Sequence, residues 1–290
     1  MRGVTETFGA ITFVNALPTG VGAAAAVRIP VRVDATFVDD RERASATVSV
    51  VRGSLTPLVD RSARAALRRY ADARARVRLD IDSEVPEAQG LKSSSAVSTA
   101  IIGAVAKAAG SRPGPTEIAG LSADVCQEVG LSATGAFDDA FASVAGTAAV
   151  TNNTVRRVLR PLEIPDGLSV VLWNPGGTHP PSPSARERFR SRADEGQGAV
   201  DAILSGDPFE AMRRNTELVE RAMGYRYREL RERLDAAGAI ASGVSGLGPT
   251  LAIVAPIDVA ERVQDALPPT HAFRRTVSFC GFPVPARGGP

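Results

Sequence analysis

Three consecutive serines, Ser93, Ser94 and Ser95, follow a Gly-Leu-Lys turn and lead into the small-residue run AVSTAIIGAVAKAAG, which reads as a helix. Free N–H groups at a helix start, with three hydroxyls beside them, make a cradle for a polyanion. Capping alone would need one serine. The loop Gly90, Leu91, Lys92, Ser93, Ser94, Ser95, Ala96 lacks the adjacent Gly-Lys-Ser/Thr of a Walker A sequence. Phosphate binding without that motif is the chemistry it predicts. Lys92 within the loop either adds a cation to bound phosphates or extends into solvent.

Two further glycine-rich loops flank it along the chain. In Pro18-Thr19-Gly20-Val21-Gly22-Ala23-Ala24-Ala25 the spacing Gly20-x-Gly22-x-x-Ala25 matches a dinucleotide fingerprint, with Asp39 and Asp40 near the usual acidic distance. That fingerprint must open a helix, whereas VRIPVRVDATF follows here with strand alternation and Pro30, so the nicotinamide-oxidoreductase reading is disfavoured. The third loop, Ser242-Gly243-Val244-Ser245-Gly246-Leu247-Gly248-Pro249-Thr250, has more glycine than a hairpin needs. Close approach of backbone to a ligand or another loop accounts for the excess. Asp138 and Asp139 sit just inside a helix start, where an aspartate either complements the dipole or serves as a proton acceptor.

The elements that must position these groups follow from periodicity. VRIPVRVDATFVDD and ATVSVV alternate as antiparallel strands, and residues 57–72 form an amphipathic helix. Its Arg61, Arg64, Arg68 and Arg69 read as a solvated face rather than an anion site. VRLDIDSEVP is a strand; helices are predicted near 93–109, 116–129 (capped by Thr116) and 136–146, then a hairpin about Asn152-Asn153. The second half reads strand (LSVVLW), helices over about 194–236, strands AIASGV and TLAIVA, a helix at 256–267 and a strand at 273–279. That order is β-α-β-β-α-β, ferredoxin-like, with an expanded first helical layer. The fold class is α+β in two domains, 1–160 and 161–290.

The 290 residues carry 34 Lys+Arg against 32 Asp+Glu, a balance unsuited to a dedicated nucleic-acid binder. Only Lys92 and Lys107 are lysines among those cations, a bias that GC-rich coding explains. Cys126 and Cys280 are too few for a disulfide framework or a zinc site. His179, in a Pro-rich loop, and His271 leave a Ser-His-Asp machine short of candidates. With no strongly apolar run of membrane-spanning length and no signal pattern, a soluble cytoplasmic protein without a membrane partner is expected.

The order PTGVGAA, EVPEAQGLKSSSA, TGAFDDA, SGVSGLGPT resembles the GHMP kinase superfamily, most of all the archaeal-type shikimate kinases. Asn15-Ala16-Leu17-Pro18-Thr19-Gly20-Val21-Gly22 is similar to that family's first motif, and the likeness continues through Gly135-Ala136-Phe137-Asp138-Asp139-Ala140 and Ala237-Gly238-Ala239-Ile240. Residues 174–195 have no counterpart in it. The resemblance implies a GHMP kinase fold, with an S5 domain 2-like N-terminal domain, a ferredoxin-like C-terminal domain and the active site between them. It also implies ATP, Mg²⁺ and phosphoryl transfer to the 3-hydroxyl of shikimate by a monomer or homodimer. Residues 90–96 would bind ATP, and Ser94, Ser95 and Glu128 the Mg²⁺. Asp138 would be the catalytic base. Asn15, Thr19, Gly20, Thr134, Gly135, Asp138, Gly246 and Gly248 would border the substrate.

Lys92 departs from the Gly or Ser common in superfamily loops. The first motif also lacks the lysine that mevalonate kinase carries there, so a cation beside Asp138 must be an arginine or the metal, and the substrate carboxylate also calls for an arginine, with Arg28 and Arg32 nearest in sequence. The alternatives are a kinase of another polyhydroxylated acid or cyclitol, and a non-catalytic binding protein of the same fold.

Overall fold

The computed structural model describes residues 1–38, 48–178, 182–270 and 272–281. Asp39, Asp40, His179, His271 and the Pro/Gly-rich stretch after Gly281 lie outside the described residues. Two long antiparallel strands begin the chain, β1 (Arg2–Val14) and β2 (Val21–Val38). Pro30 removes a ladder donor from β2, and the register shifts beside it: Phe8 faces Pro30 while Gly9 faces Val27. The Gly20–Ala25 stretch thus opens a strand, and no helix N-terminus stands there to receive a pyrophosphate.

β2 pairs on its flanks with β4 (Arg76–Ser83) and β5 (Ala148–Asn152), and β6 (Arg157–Pro161) pairs with β5 at one edge. At the other edge β3 (Val48–Arg52) runs parallel to β4, where alternation alone predicts an antiparallel strand. The reason is the connection: α1 (Pro57–Tyr70) crosses between β3 and β4 and returns the chain in the same direction. On α1, Arg61, Arg64 and Arg69 pair with Glu128, Asp60 and Glu117, as a solvated face should.

α2 (Ser93–Ala108), α3 (Pro115–Glu128) and α4 (Phe137–Ala145) complete the first half. α3 is capped at Gly114 with Pro115 in its first position, so Thr116 lies inside the first turn and is not the cap. Ala142 of α4 clusters with Ala10 of β1 and Ala24 of β2. Methyl-sized side chains let the helix approach the sheet closely, which is why GAAAA in β2 contains nothing larger.

The second half runs β7 (Leu168–Asn174), α5 (Pro183–Arg190), α6 (Ala193–Ser205), α7 (Pro208–Met223), α8 (Arg228–Ala236), β8 (Ala241–Val244), β9 (Leu251–Pro256), α9 (Ala260–Asp265) and β10 (Phe273–Ser278). Its sheet order is β10-β7-β9-β8 with every pair antiparallel, the ferredoxin-like arrangement read from sequence. α9 is shorter than the predicted 256–267, because residues 257–259 wind as a 3-10 turn. α5 is an addition, formed where the proline-rich sequence suggests only loop. Ser182 caps it by accepting from the Ala185 N–H, and Pro183 takes a first-turn position that needs no donor.

β6 ends the first sheet at Pro161, and the largest apolar cluster continues past it: Ile11 and Phe13 join Val170, Leu172, Ile203, Met212 and Val254. A second cluster packs Trp173, Phe189, Leu218 and Leu251 behind the C-terminal sheet. Among the described residues no helix is long and apolar enough to cross a membrane.

Candidate active site

The N-terminus of α2 is open. Its cap residue, Lys92, takes the left-handed conformation (φ 67°), and no side chain caps the helix. The three serines occupy the first turn instead of the cap position, so the orphan N–H groups of that turn remain available to a ligand. Gly90 explains how the loop is held. At φ +83°, an added Cβ would lie 2.2 Å from the Ser245 carbonyl oxygen, so only glycine permits the contact. Ser245 Oγ donates to the Gly90 carbonyl (2.7 Å) and accepts from the Thr12 N–H (3.3 Å), while the Gly246 N–H donates to Thr12 Oγ1 (3.0 Å). Tyr225 and Tyr227 brace the same loop from α8's side through their hydroxyls, donating to the Leu247 and Pro249 carbonyls. The excess glycine of the third loop therefore serves close packing: Gly246 against Gly90 and Lys92, Gly243 against Met212 and Gly248 against Tyr225.

Asp138 is buried at the start of α4, whose cap residue Ala136 is also left-handed (φ 53°) and also without a side-chain cap. Asn153, just past β5, accepts from the Asp138 N–H (3.2 Å) and donates through Nδ2 to Asp138 Oδ1 (2.7 Å). Thr151 Oγ1 also donates to Asn153 Oδ1 (2.7 Å), and with two donors on its oxygen the amide has one possible orientation. Gly22 lies against the other carboxylate oxygen; a Cβ there would sit 2.3 Å from Oδ2. Asp139, equally enclosed, pairs with Lys92 Nζ at 3.1 Å. Burial first, then the neighbouring Asp138 charge, pushes the Asp139 carboxyl well above the usual carboxylate range, while Lys92 pulls it back.

These groups share one cleft of about 440 Å³, a volume suited to a small ligand. Of the residues singled out in sequence, Asn15, Gly90, Lys92, Ser93, Ser94, Ser95, Thr134, Asp138, Gly246 and Gly248 line it. Leu91 and Ala96 are fully buried behind the loop. Thr19 and Gly20 do not reach the wall: they shape the β1–β2 turn, Thr19 Oγ1 accepting from the Val21 N–H and the Gly20 carbonyl accepting from the Asn153 N–H. Gly135 packs on Ala123 of α3, where a Cβ would meet the Ala123 Cβ at 2.9 Å.

Glu128 is also displaced from its expected place. Cys126 lines the cleft, and two residues further a helix has turned through about 200°. Glu128 thus points outward, half-exposed and paired with Arg61 at 3.3 Å. Glu128→Gln should keep kcat and its magnesium dependence within about twofold and cost at most about 0.5 kcal/mol of stability, since exposed ion pairs contribute little. A titration of activity against Mg²⁺ checks this; a raised metal requirement would return Glu128 to the site. Arg28 and Arg32 are likewise outside: both occupy exposed positions of β2, with Arg28 beside Cys280. Cys126 and Cys280 themselves are buried free thiols.

Sequence reading passed over Gly22, Asn153 and Arg186. Gly22 was visible only as part of a loop motif. Asn153 stands two residues beyond buried Thr151, a polar residue on the inward face of a strand, and that period-two position was the available signal. Arg186 lies on α5, which the sequence did not announce, and it lines the cleft with Ser182 and Ala185.

Comparison with known proteins agrees in both halves. The family model for the GHMP kinases N-terminal domain matches residues 57–147, and that for the GHMP kinases C-terminal region matches 199–271. The shikimate kinase of Archaeoglobus fulgidus is 35% identical over 255 residues, covering 84% of this chain and 81% of that protein. The shikimate kinase of Pyrococcus furiosus is 28% identical, covering 91% and 95%. Among solved structures, Methanococcus jannaschii mevalonate kinase superposes with a TM-score of 0.74 at 12% identity, covering 96% of this chain and 98% of that one. Homoserine kinase from Cytophaga hutchinsonii gives 0.69 at 17% identity, covering 92% and 90%. Identity that low speaks for the fold alone. Taken with the two matched halves and the near full-length sequence relatives, it places this chain in the GHMP kinase family.

Proposed function

We propose that this protein is an ATP-dependent kinase that transfers the γ-phosphoryl group to the 3-hydroxyl of shikimate. One observation carries the chemistry: Asp138, clamped between the Asn153 amide and Gly22, faces the same cleft as the uncapped first turn of α2. Relatives spanning most of the chain and named shikimate kinases support the acceptor.

The first-turn N–H groups of α2 and the Ser93, Ser94 and Ser95 hydroxyls hold the β- and γ-phosphates. Ser94 and Ser95 would offer hydroxyl oxygens to Mg²⁺. Both serines line the cleft, and hydroxyl oxygens are donors of the kind a hard ion takes. When bound, Mg²⁺ neutralises charge on the phosphate oxygens. Asp138 accepts the proton of the acceptor hydroxyl as that oxygen bonds to the γ-phosphorus. The bond from the γ-phosphorus to the bridging oxygen breaks, ADP leaves with the electron pair, and the proton passes from Asp138 to solvent.

Lys92 ties the phosphate loop to α4 through Asp139, at a backbone conformation that costs a non-glycine residue about 1 kcal/mol. Persistence of that strain fits a cation placed for phosphate. Lys92→Ala should raise the KM for ATP about tenfold, the worth of one charge-assisted contact. Steady-state kinetics at saturating acceptor measures it, and an unmoved KM assigns Lys92 to Asp139 alone.

The overall reading is tested by ADP release and product mass on adding shikimate, quinate or neutral cyclitols. Turnover of another cyclitol with none of shikimate would transfer the chemistry to that acceptor. ATP binding without transfer to any acceptor would make the protein a binding module.

A further inference from the structure

An acid acceptor enters a cleft that already holds two aspartates and, in the reaction proposed above, the phosphates of ATP. Its carboxylate needs a cation, or the repulsion and lost hydration would exclude it. Two cations line the cleft among the described residues, Lys92 and Arg186. Lys92 Nζ is held by Asp139 at 3.1 Å and, in the reaction proposed above, serves the ATP phosphates.

Arg186 belongs to α5, in the 174–195 stretch for which the sequence offered no role. The helix is seated on the C-terminal half by Ala185 and Phe189, both buried, the latter fully, with Phe189 among Trp173, Leu218 and Leu251. Helical geometry puts Arg186 and Arg188 about 80° to either side of that buried seam. Arg188 turns towards α7, where its Nε donates to the Ala222 carbonyl at 2.6 Å. Arg186 turns the other way and lines the cleft, and its guanidinium makes no ion pair or hydrogen bond with any described residue. A rigidly seated helix thus presents a planar, two-pronged donor to the cleft, the shape that fits a carboxylate.

We propose that Arg186 forms a carboxylate subsite that selects acidic over neutral cyclitol acceptors. The proposal rests on the kinase reading for the identity of the acceptor, but its recognition chemistry can be read by binding alone. Calorimetry on the full chain would compare shikimate with its carboxamide, which keeps the ring and hydroxyls and loses the charge. Wild type should prefer the acid roughly 30-fold, as a bidentate charged pair implies. Arg186→Met should erase most of that preference while the amide's affinity does not follow, and Arg186→Lys should keep part of it. An acid preference that survives Arg186→Met, or its absence in the wild type, overturns the subsite. The two readings part cleanly. An Arg186-dependent preference without ADP release from shikimate keeps the subsite and ends the shikimate-kinase reading. ADP release from shikimate with a preference indifferent to Arg186 does the reverse.

Discussion

Asp138→Asn should lower kcat about a thousandfold, within the range that a positioned general base contributes, while ATP affinity stays within about threefold. The substitution is nearly isosteric, and the surroundings accommodate it. The oxygen of the introduced amide can still accept from Asn153 Nδ2, which today donates to Asp138 Oδ1 at 2.7 Å, and the backbone N–H bond to Asn153 Oδ1 is unaffected. What disappears is the ability to take a proton. Asp139 gains from the exchange, because Asp138's charge is the second cause of its raised pKa after burial. A variant that lost turnover by misfolding would lose ATP binding too, so the pair of measurements separates the causes. If more than about a tenth of the turnover survived, proton acceptance by Asp138 would not be rate-determining and the base would have to be sought elsewhere.

The sequence carried the parts of this site that are made by local chemistry. A Gly turn ahead of serines and a small-residue run fixes the start of α2, because turn and helix signals act over a few residues. The βαββαβ order of the second half was legible for the same reason: periodicity of 2 and of 3.6 is a local property. Contacts between distant segments were not. Asn153 reads as a turn former beside Asn152, and only the fold brings it to Asp138, 15 positions earlier. Glu128 faces away from the cleft because a helix residue's face depends on which side its neighbours bury, and Cys126 took the cleft side. α5 was hidden by its own prolines, which mark loops in most contexts and here serve the first turn. Parallel pairing of β3 with β4 likewise depends on a crossover that strand alternation cannot express.

Gly22 turns that lesson into a measurement, because the first motif looked like a nucleotide loop and instead forms the wall behind the base. Gly22→Ala should cut kcat about a hundredfold, the scale expected when a catalytic group is moved by roughly 1 Å. The added methyl would stand 2.3 Å from Asp138 Oδ2 and 2.8 Å from its carboxyl carbon, with the Ala16 Cβ at 3.1 Å on another side. Neither β2 nor α4 can yield easily. Gly22 is registered against Thr151 in the β2–β5 ladder, and α4 is already packed on the sheet at Ala10 and Ala24. The movable part is the carboxylate, and Asn153 holds its other oxygen, so the methyl must break the 2.7 Å bond or rotate the side chain out of place. Stability should fall by about 1–3 kcal/mol, the usual cost of overpacking, which a thermal melt would register. The phosphate loop on α2 should still bind ATP, because Gly90, Ser245 and Thr12 hold it without Gly22. Undiminished turnover in a folded Gly22→Ala protein would mean that the carboxylate can act from a second position, and the clamp between Asn153 and Gly22 would lose its meaning.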